Sequence, residues 1–186
     1  ILLLYGAVYR FQPRVEVLLL TQVLVATGAA LPLYIGVRGL LGSSTAALLF
    51  AAAFLVSPFL ANAMMFDFHP EVMGVASIFG AFACLVRGRP GWALVAVGSA
   101  FLLKEDAALV AFGFAWLFWR YHHRRHAAAL AAAAVVYLVV VTAFVMPAAR
   151  GGIAGGPQAR WSYLGDTGVE IVAGAVRHPD RVLHHL

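Results

Sequence analysis

The chain has 186 residues, 63% hydrophobic and only 11% charged, with a mean hydropathy of +0.89. Soluble domains carry about 25% charged residues, so this composition excludes a water-soluble core and defines an integral membrane protein. The net charge of +5, from 13 Lys and Arg against 8 Asp and Glu, then reports loop placement; membrane lipid is the implied partner, and no nucleic acid is expected.

The apolar runs are continuous and rich in Leu, Ala, Val and Phe. They lack the alternation of a membrane barrel, so an all-α, polytopic helix bundle is predicted. Six hydrophobic segments can be drawn in chain order: Val15–Val37, Thr45–Met65, Val72–Val86, Trp92–Leu103, Ala107–Trp119 and Ala127–Met146. A full span needs about 20 residues. The first, second and sixth comply, and Pro32 and Pro58 are expected to kink the first two. The third is short, and the fourth and fifth would each cover only about 18–20 Å.

Residues 91–119 admit two topologies. One is a single helix with Lys104, Glu105 and Asp106 in mid-membrane, where each charge costs about 2.5–3.5 kcal/mol. The other is a hairpin with that triplet at its tip. Arg87 and Arg89 precede the stretch, and Arg120, Arg124 and Arg125 follow it; a hairpin puts both clusters on one side, as the positive-inside rule favours. Arg38, Arg87, Arg89, Arg120, Arg124 and Arg125 then face the cytoplasm from loops at 38–44, 87–91 and 120–126. All eight acids fall on the other side, with 66–71, 104–106 and the tail 148–186. Cys84 lies alone in an apolar run, so no intrachain disulfide is possible.

The tail opens with a Gly-rich turn region, Gly151–Pro157. Gly168–Leu186 predicts one or two short amphipathic helices, with Pro179 at a first helical position. The expected organisation is a transmembrane helical domain over 1–147 and an extracytoplasmic tail over 148–186. Ile1 lies inside an apolar run and Leu186 inside a helical pattern, so both ends are expected to be cut from a larger protein.

Two polar motifs carry candidate chemistry. In Phe66-Asp67-Phe68-His69-Pro70-Glu71, Pro70 suits the first position of a helix and Glu71 its first turn. Asp67, His69 and Glu71 either cap that helix or face a substrate cavity. They could also hold a divalent metal, although two-residue spacing in a loop specifies none; neither a metal nor any cofactor is assigned. Lys104-Glu105-Asp106 is either a solvated turn with Lys104 snorkelling, or a cluster lining a polar cavity at the outer interface. Lys104 could pair with Asp67, Glu71 or a ligand phosphate. His122, His123 and His126 lie among arginines, a composition suited to anionic lipid rather than metal.

The run Tyr5…Pro13…Leu18-Leu19…Gln22…Leu31-Pro32-Leu33-Tyr34, Ser57-Pro58, the Phe66–Glu71 motif and Leu103-Lys104-Glu105-Asp106-Ala107-Ala108-Leu109 together resemble one bacterial family. It is the predicted multi-pass membrane protein family labelled domain of unknown function two-zero-seven-nine, which has no established activity. Its layout is similar to the GT-C glycosyltransferases, which take sugar from a polyprenyl-phosphate carrier. The resemblance implies a bacterial plasma-membrane protein and transfer at the extracytoplasmic face. Lys104 would neutralise carrier phosphate, and Glu105, Asp106, Asp67, His69 and Glu71 would bind sugar or acceptor. The GT-C catalytic base sits in the first outer loop, which is expected upstream of Ile1. A transporter or a non-catalytic membrane scaffold is the rival class; the polar residues cluster at one face and no repeat is visible, which argues against transport.

Overall fold

The computed structural model describes residues 9–10, 13–65, 68–104, 106–145, 148, 162–165 and 168–184. Every regular element among them is helical: α1 (Val15–Gly28), α2 (Ala30–Leu41), α3 (Ser44–Leu55), α4 (Pro58–Met65), a 3₁₀ turn (Pro70–Met73), α5 (Gly74–Val86), α6 (Pro90–Ala100), α7 (Ala107–Arg120), α8 (Arg124–Val140) with a π turn (Val141–Val145), α9 (Gly168–Arg177) and α10 (Pro179–His184). Three continuous helical stretches are long and apolar enough to cross a bilayer: Val15–Leu41, Ser44–Met65 and Arg124–Val145. The chain falls into two units, Ile1–Val139 and Val140–Leu186.

Both interior prolines interrupt their spans. Pro32 has no N–H for the Gly28 carbonyl, and α1 gives way to α2 at Ala29. Pro58 likewise leaves the Phe54 carbonyl without its helical donor; Ser57 N–H takes that oxygen at 3.2 Å instead, and the helix restarts as α4.

The helix ends are set by local chemistry rather than by the edge of the apolar run. The first span continues to Leu41, past the predicted end at Val37. Gly42, at φ 67°, stops it, and Arg38 stays in the last helical turn, where a cation complements the helix dipole. The predicted loop at 38–44 therefore begins at Gly42. Ser43 then caps α3 by accepting from Ala46 N–H at 3.2 Å. After α5, Gly88 takes φ 68° and Arg89 N–H reaches back to the Cys84 carbonyl at 2.9 Å, closing a Schellman turn before Pro90 opens α6. After α7 the same turn recurs with His123 N–H on the Phe118 carbonyl at 2.8 Å and a non-glycine, His122, at φ 63°.

Residues 90–120 form two helices folded back on each other, as the charge pattern predicts. α6 starts at Pro90 and ends at Ala100, earlier than the predicted Leu103, because residues 101–103 tighten into i→i+3 hydrogen bonds from Phe101, Leu102 and Leu103. α5, α6, α7 and α8 share one core in which Ala81, Leu85, Ala93, Val97, Ala111, Phe114, Phe118, Leu130 and Ala134 are buried. Alanine dominates the contacts, as expected where helices approach closely in lipid. α2 meets α5 more closely still: a Cβ on Gly36 would lie 2.5 Å from a Phe82 ring carbon, and one on Gly39 would lie 3.0 Å from Val86.

These contacts separate the two ends of the bundle. Val86 lies against Gly39, and Leu85, Ala93, Phe118 and Ala127 share the core, so the helix ends carrying Arg38, Arg87, Arg89, Arg120, Arg124 and Arg125 gather together. At the other end of α5, Gly74 lies against Leu103. In the second unit α9 and α10 are short helices, with Pro179 opening α10.

Candidate functional site

The polar end of the bundle is assembled by one buried amide and one apolar plug. Gln22 is 1% exposed in the middle of α1. Its Nε2 donates to the Ala63 carbonyl at 3.1 Å, and its Oε1 accepts from His69 N–H at 2.7 Å. Ala63 lies in the last turn of α4, where carbonyls have no helical donor, so Gln22 caps α4 and clamps the segment after it. Leu103 is buried against Met73 of the 3₁₀ turn, with Leu18, Val25 and Phe68 around them. That contact brings the tip of the α6–α7 hairpin to the start of α5.

Lys104 follows Leu103, and its backbone is held from α8. The Tyr137 hydroxyl donates to the Phe101 carbonyl at 2.7 Å and to the Lys104 carbonyl at 3.2 Å, while its ring stacks on Phe101 at 4.6 Å. The Lys104 ammonium meets the Glu71 carboxylate at 3.2 Å and Asp106 at 3.9 Å. His69 Nδ1 lies 3.5 Å from the same Glu71 oxygen. Four of the sequence-predicted residues, His69, Glu71, Lys104 and Asp106, thus come together. Asp67 and Glu105 lie outside the described residues. Among the described residues no three His, Cys, Asp or Glu side chains form a metal-binding group.

The side chains of Lys104 and Glu71 are 39% and 38% exposed. An exposed pair contributes only about 0.2–1 kcal/mol, so stability alone does not account for the cluster. Burial disfavours the Glu71 carboxylate, but its own backbone N–H, the Lys104 ammonium and His69 outweigh that and hold its pKa below the usual 4.5. A lowered pKa makes the pairing fully present above about pH 4.5 and lost as the pH falls through the folded value. The melting-temperature gap between the wild-type chain and Glu71→Gln in detergent should therefore be constant near neutrality and close on acidification below about pH 4.5.

Glu71, Lys104 and Asp106 line a cavity of about 290 Å³ together with the apolar Ile78, Leu103, Leu109 and Val110 from α5, the hairpin tip and α7. At the opposite end, His123 and His126 pack on the buried Phe118 ring at 6.5 and 5.9 Å, a packing role rather than a ligand set.

Of the two residues that fix this geometry, Gln22 stands in the family-resembling run without an assigned role, and Tyr137 carries no motif. Their signal is that each is a polar group inside an apolar helix, where an unpartnered hydrogen-bonding group is costly.

Spanning helices, a close-packed alanine core and polar groups gathered at one end define a polytopic helical membrane protein. The chain belongs to a predicted membrane protein family (DUF2079), whose model matches residues 1–186. No curated protein and no solved structure matches it.

Proposed function

We propose that this chain is part of a bacterial plasma-membrane enzyme with a GT-C-like layout that transfers sugar from a polyprenyl-phosphate carrier at the extracytoplasmic face. The observation that carries this reading is the 290 Å³ cavity, lined by the charged Glu71, Lys104 and Asp106 together with the apolar Ile78, Leu103, Leu109 and Val110. Such a cavity suits an amphiphile whose head is polar and whose chain lies among helices. On this reading the hairpin tip, the Phe66–Glu71 segment and the tail 148–186 face outward, and the arginine end faces the cytoplasm. Lys104 neutralises the carrier phosphate in a site of low dielectric constant. Glu71 and Asp106 accept hydrogen bonds from sugar or acceptor hydroxyls, with Asp67, His69 and Glu105 beside them in sequence.

One observation favours a second reading. Lys104 already meets two carboxylates, so a phosphate must compete with Glu71 and Asp106 for it. A scaffold or transporter in which the cluster is a permanent clasp between α5 and the hairpin needs no such exchange. Lys104→Met separates the two. Transferase function predicts a loss of at least about tenfold in transfer from polyprenyl-phosphate sugars by the reconstituted protein, the scale of one lost charge contact. Unchanged turnover removes Lys104 from the reaction, and a loss of thermal stability with no polyprenyl-phosphate binding in either protein favours the clasp.

A further inference from the structure

We infer that the arginine end of the bundle carries a binding site for an anionic phospholipid, in the groove formed by Arg89, Gly91, Trp92 and Val95. This groove has about 460 Å³ of space and lies at the start of α6, at the end of the bundle away from Lys104. Trp92 and Val95 are 67% and 62% exposed and stand one helical turn apart on one face of α6. Arg89 precedes them at the head of the same face, also exposed.

The order along the groove is that of an amphiphile: a guanidinium, then an indole, then an aliphatic wall. Arginine offers a planar donor fork that matches phosphate oxygens. Tryptophan is suited to the headgroup level, where one edge is wet and the body is apolar. A free inorganic phosphate would use Arg89 but not the Trp92–Val95 wall, so the groove favours a phosphate that carries an acyl chain.

Charge decides between anionic and zwitterionic lipid. Arg38, Arg87, Arg120, Arg124 and Arg125 are exposed at the same end as Arg89, and within the first unit the described acids Glu16, Glu71 and Asp106 lie at the opposite helix ends. The field there attracts net negative charge, and among the described residues of the first unit no carboxylate stands there for a choline or ethanolamine ammonium to meet. A phosphatidylglycerol-type headgroup fits this chemistry. The site lies apart from the Glu71–Lys104 cavity and does not depend on what that cavity binds.

The test uses the chain with Trp116, Trp119 and Trp161 replaced by Phe, leaving Trp92 as the fluorophore, in bilayers of equimolar phosphatidylglycerol and phosphatidylcholine. Either lipid is brominated in turn to quench it. Brominated phosphatidylglycerol should quench with a higher apparent affinity than brominated phosphatidylcholine, and Arg89→Gln should lower that preference about fivefold, the effect of one basic residue near a surface. Equal quenching by the two lipids, or a preference left unchanged by Arg89→Gln, overturns the proposal. Native mass spectrometry of the otherwise unaltered chain and of Arg89→Gln, counting retained phosphatidylglycerol, gives the same comparison without the tryptophan replacements; equal retention overturns it as well.

Discussion

Replacing Gln22 with Leu is expected to destabilise the chain by about 2–5 kcal/mol and to loosen the Phe66–Glu71 segment. The side chain is 1% exposed and spends both ends of its amide on backbone groups, the Ala63 carbonyl and His69 N–H. Leucine has a similar volume, so packing changes little, but an acceptor and a donor lose their partners together. Each orphaned buried group costs about 1–3 kcal/mol. Glutamate is the informative companion: it can accept from His69 N–H, and only its protonated form can also donate to the Ala63 carbonyl, so Gln22→Glu should regain part of the loss as the pH is lowered. The measurement is thermal unfolding in a fixed detergent, with proteolysis of the segment after Met65 as a local readout. A Gln22→Leu protein that melts with the wild type and resists protease equally would show that the clamp contributes nothing.

The second large effect is steric. Gly36→Val should cost about 1–3 kcal/mol or more through overpacking and separate α2 from α5. A single Cβ at Gly36 already falls 2.5 Å from the Phe82 ring and 3.3 Å from the Ala83 Cα. The ring can turn aside but the backbone cannot, so Gly36→Ala should be milder and partly rescued by Phe82→Leu, which opens the space the methyl needs. Gly98, by contrast, has open space where its Cβ would stand. Gly98→Ala should be neutral or slightly stabilising in an α-helix, and it controls for glycine replacement as such. Equal melting temperatures for Gly36→Val and wild type would contradict the close α2–α5 packing.

Much of the fold was legible because two physical constraints write themselves directly into sequence. Hydrocarbon requires continuous apolar helices, so the six drawn segments reappear as α1–α2, α3–α4, α5, α6, α7 and α8. Charge asymmetry separated the hairpin from a single long helix, and α6 and α7 are two helices. Boundaries were less legible because they depend on backbone geometry. Gly42 ended α2 beyond Arg38, and residues 101–103 wound into a tighter turn than an apolar count can register. The site was half legible. Glu71 and Lys104 stood out as ionisable groups between apolar runs, and they meet at 3.2 Å. What holds them was not: Gln22, Leu103 and Tyr137 act through contacts between residues distant in sequence, and a lone Gln or Tyr in a span carries no statement of which carbonyl it will find.

The account rests on the two ends of the bundle being two aqueous faces, with the Glu71–Lys104 cluster outside. Single cysteines placed at Asp106 and at Tyr121, both exposed, in a Cys84→Ala chain test this most directly. In intact cells a membrane-impermeant maleimide should label Asp106→Cys at once and Tyr121→Cys only after permeabilisation. Labelling of both from the same side, or of Tyr121→Cys alone from outside, would contradict the hairpin orientation and with it the outward-facing site.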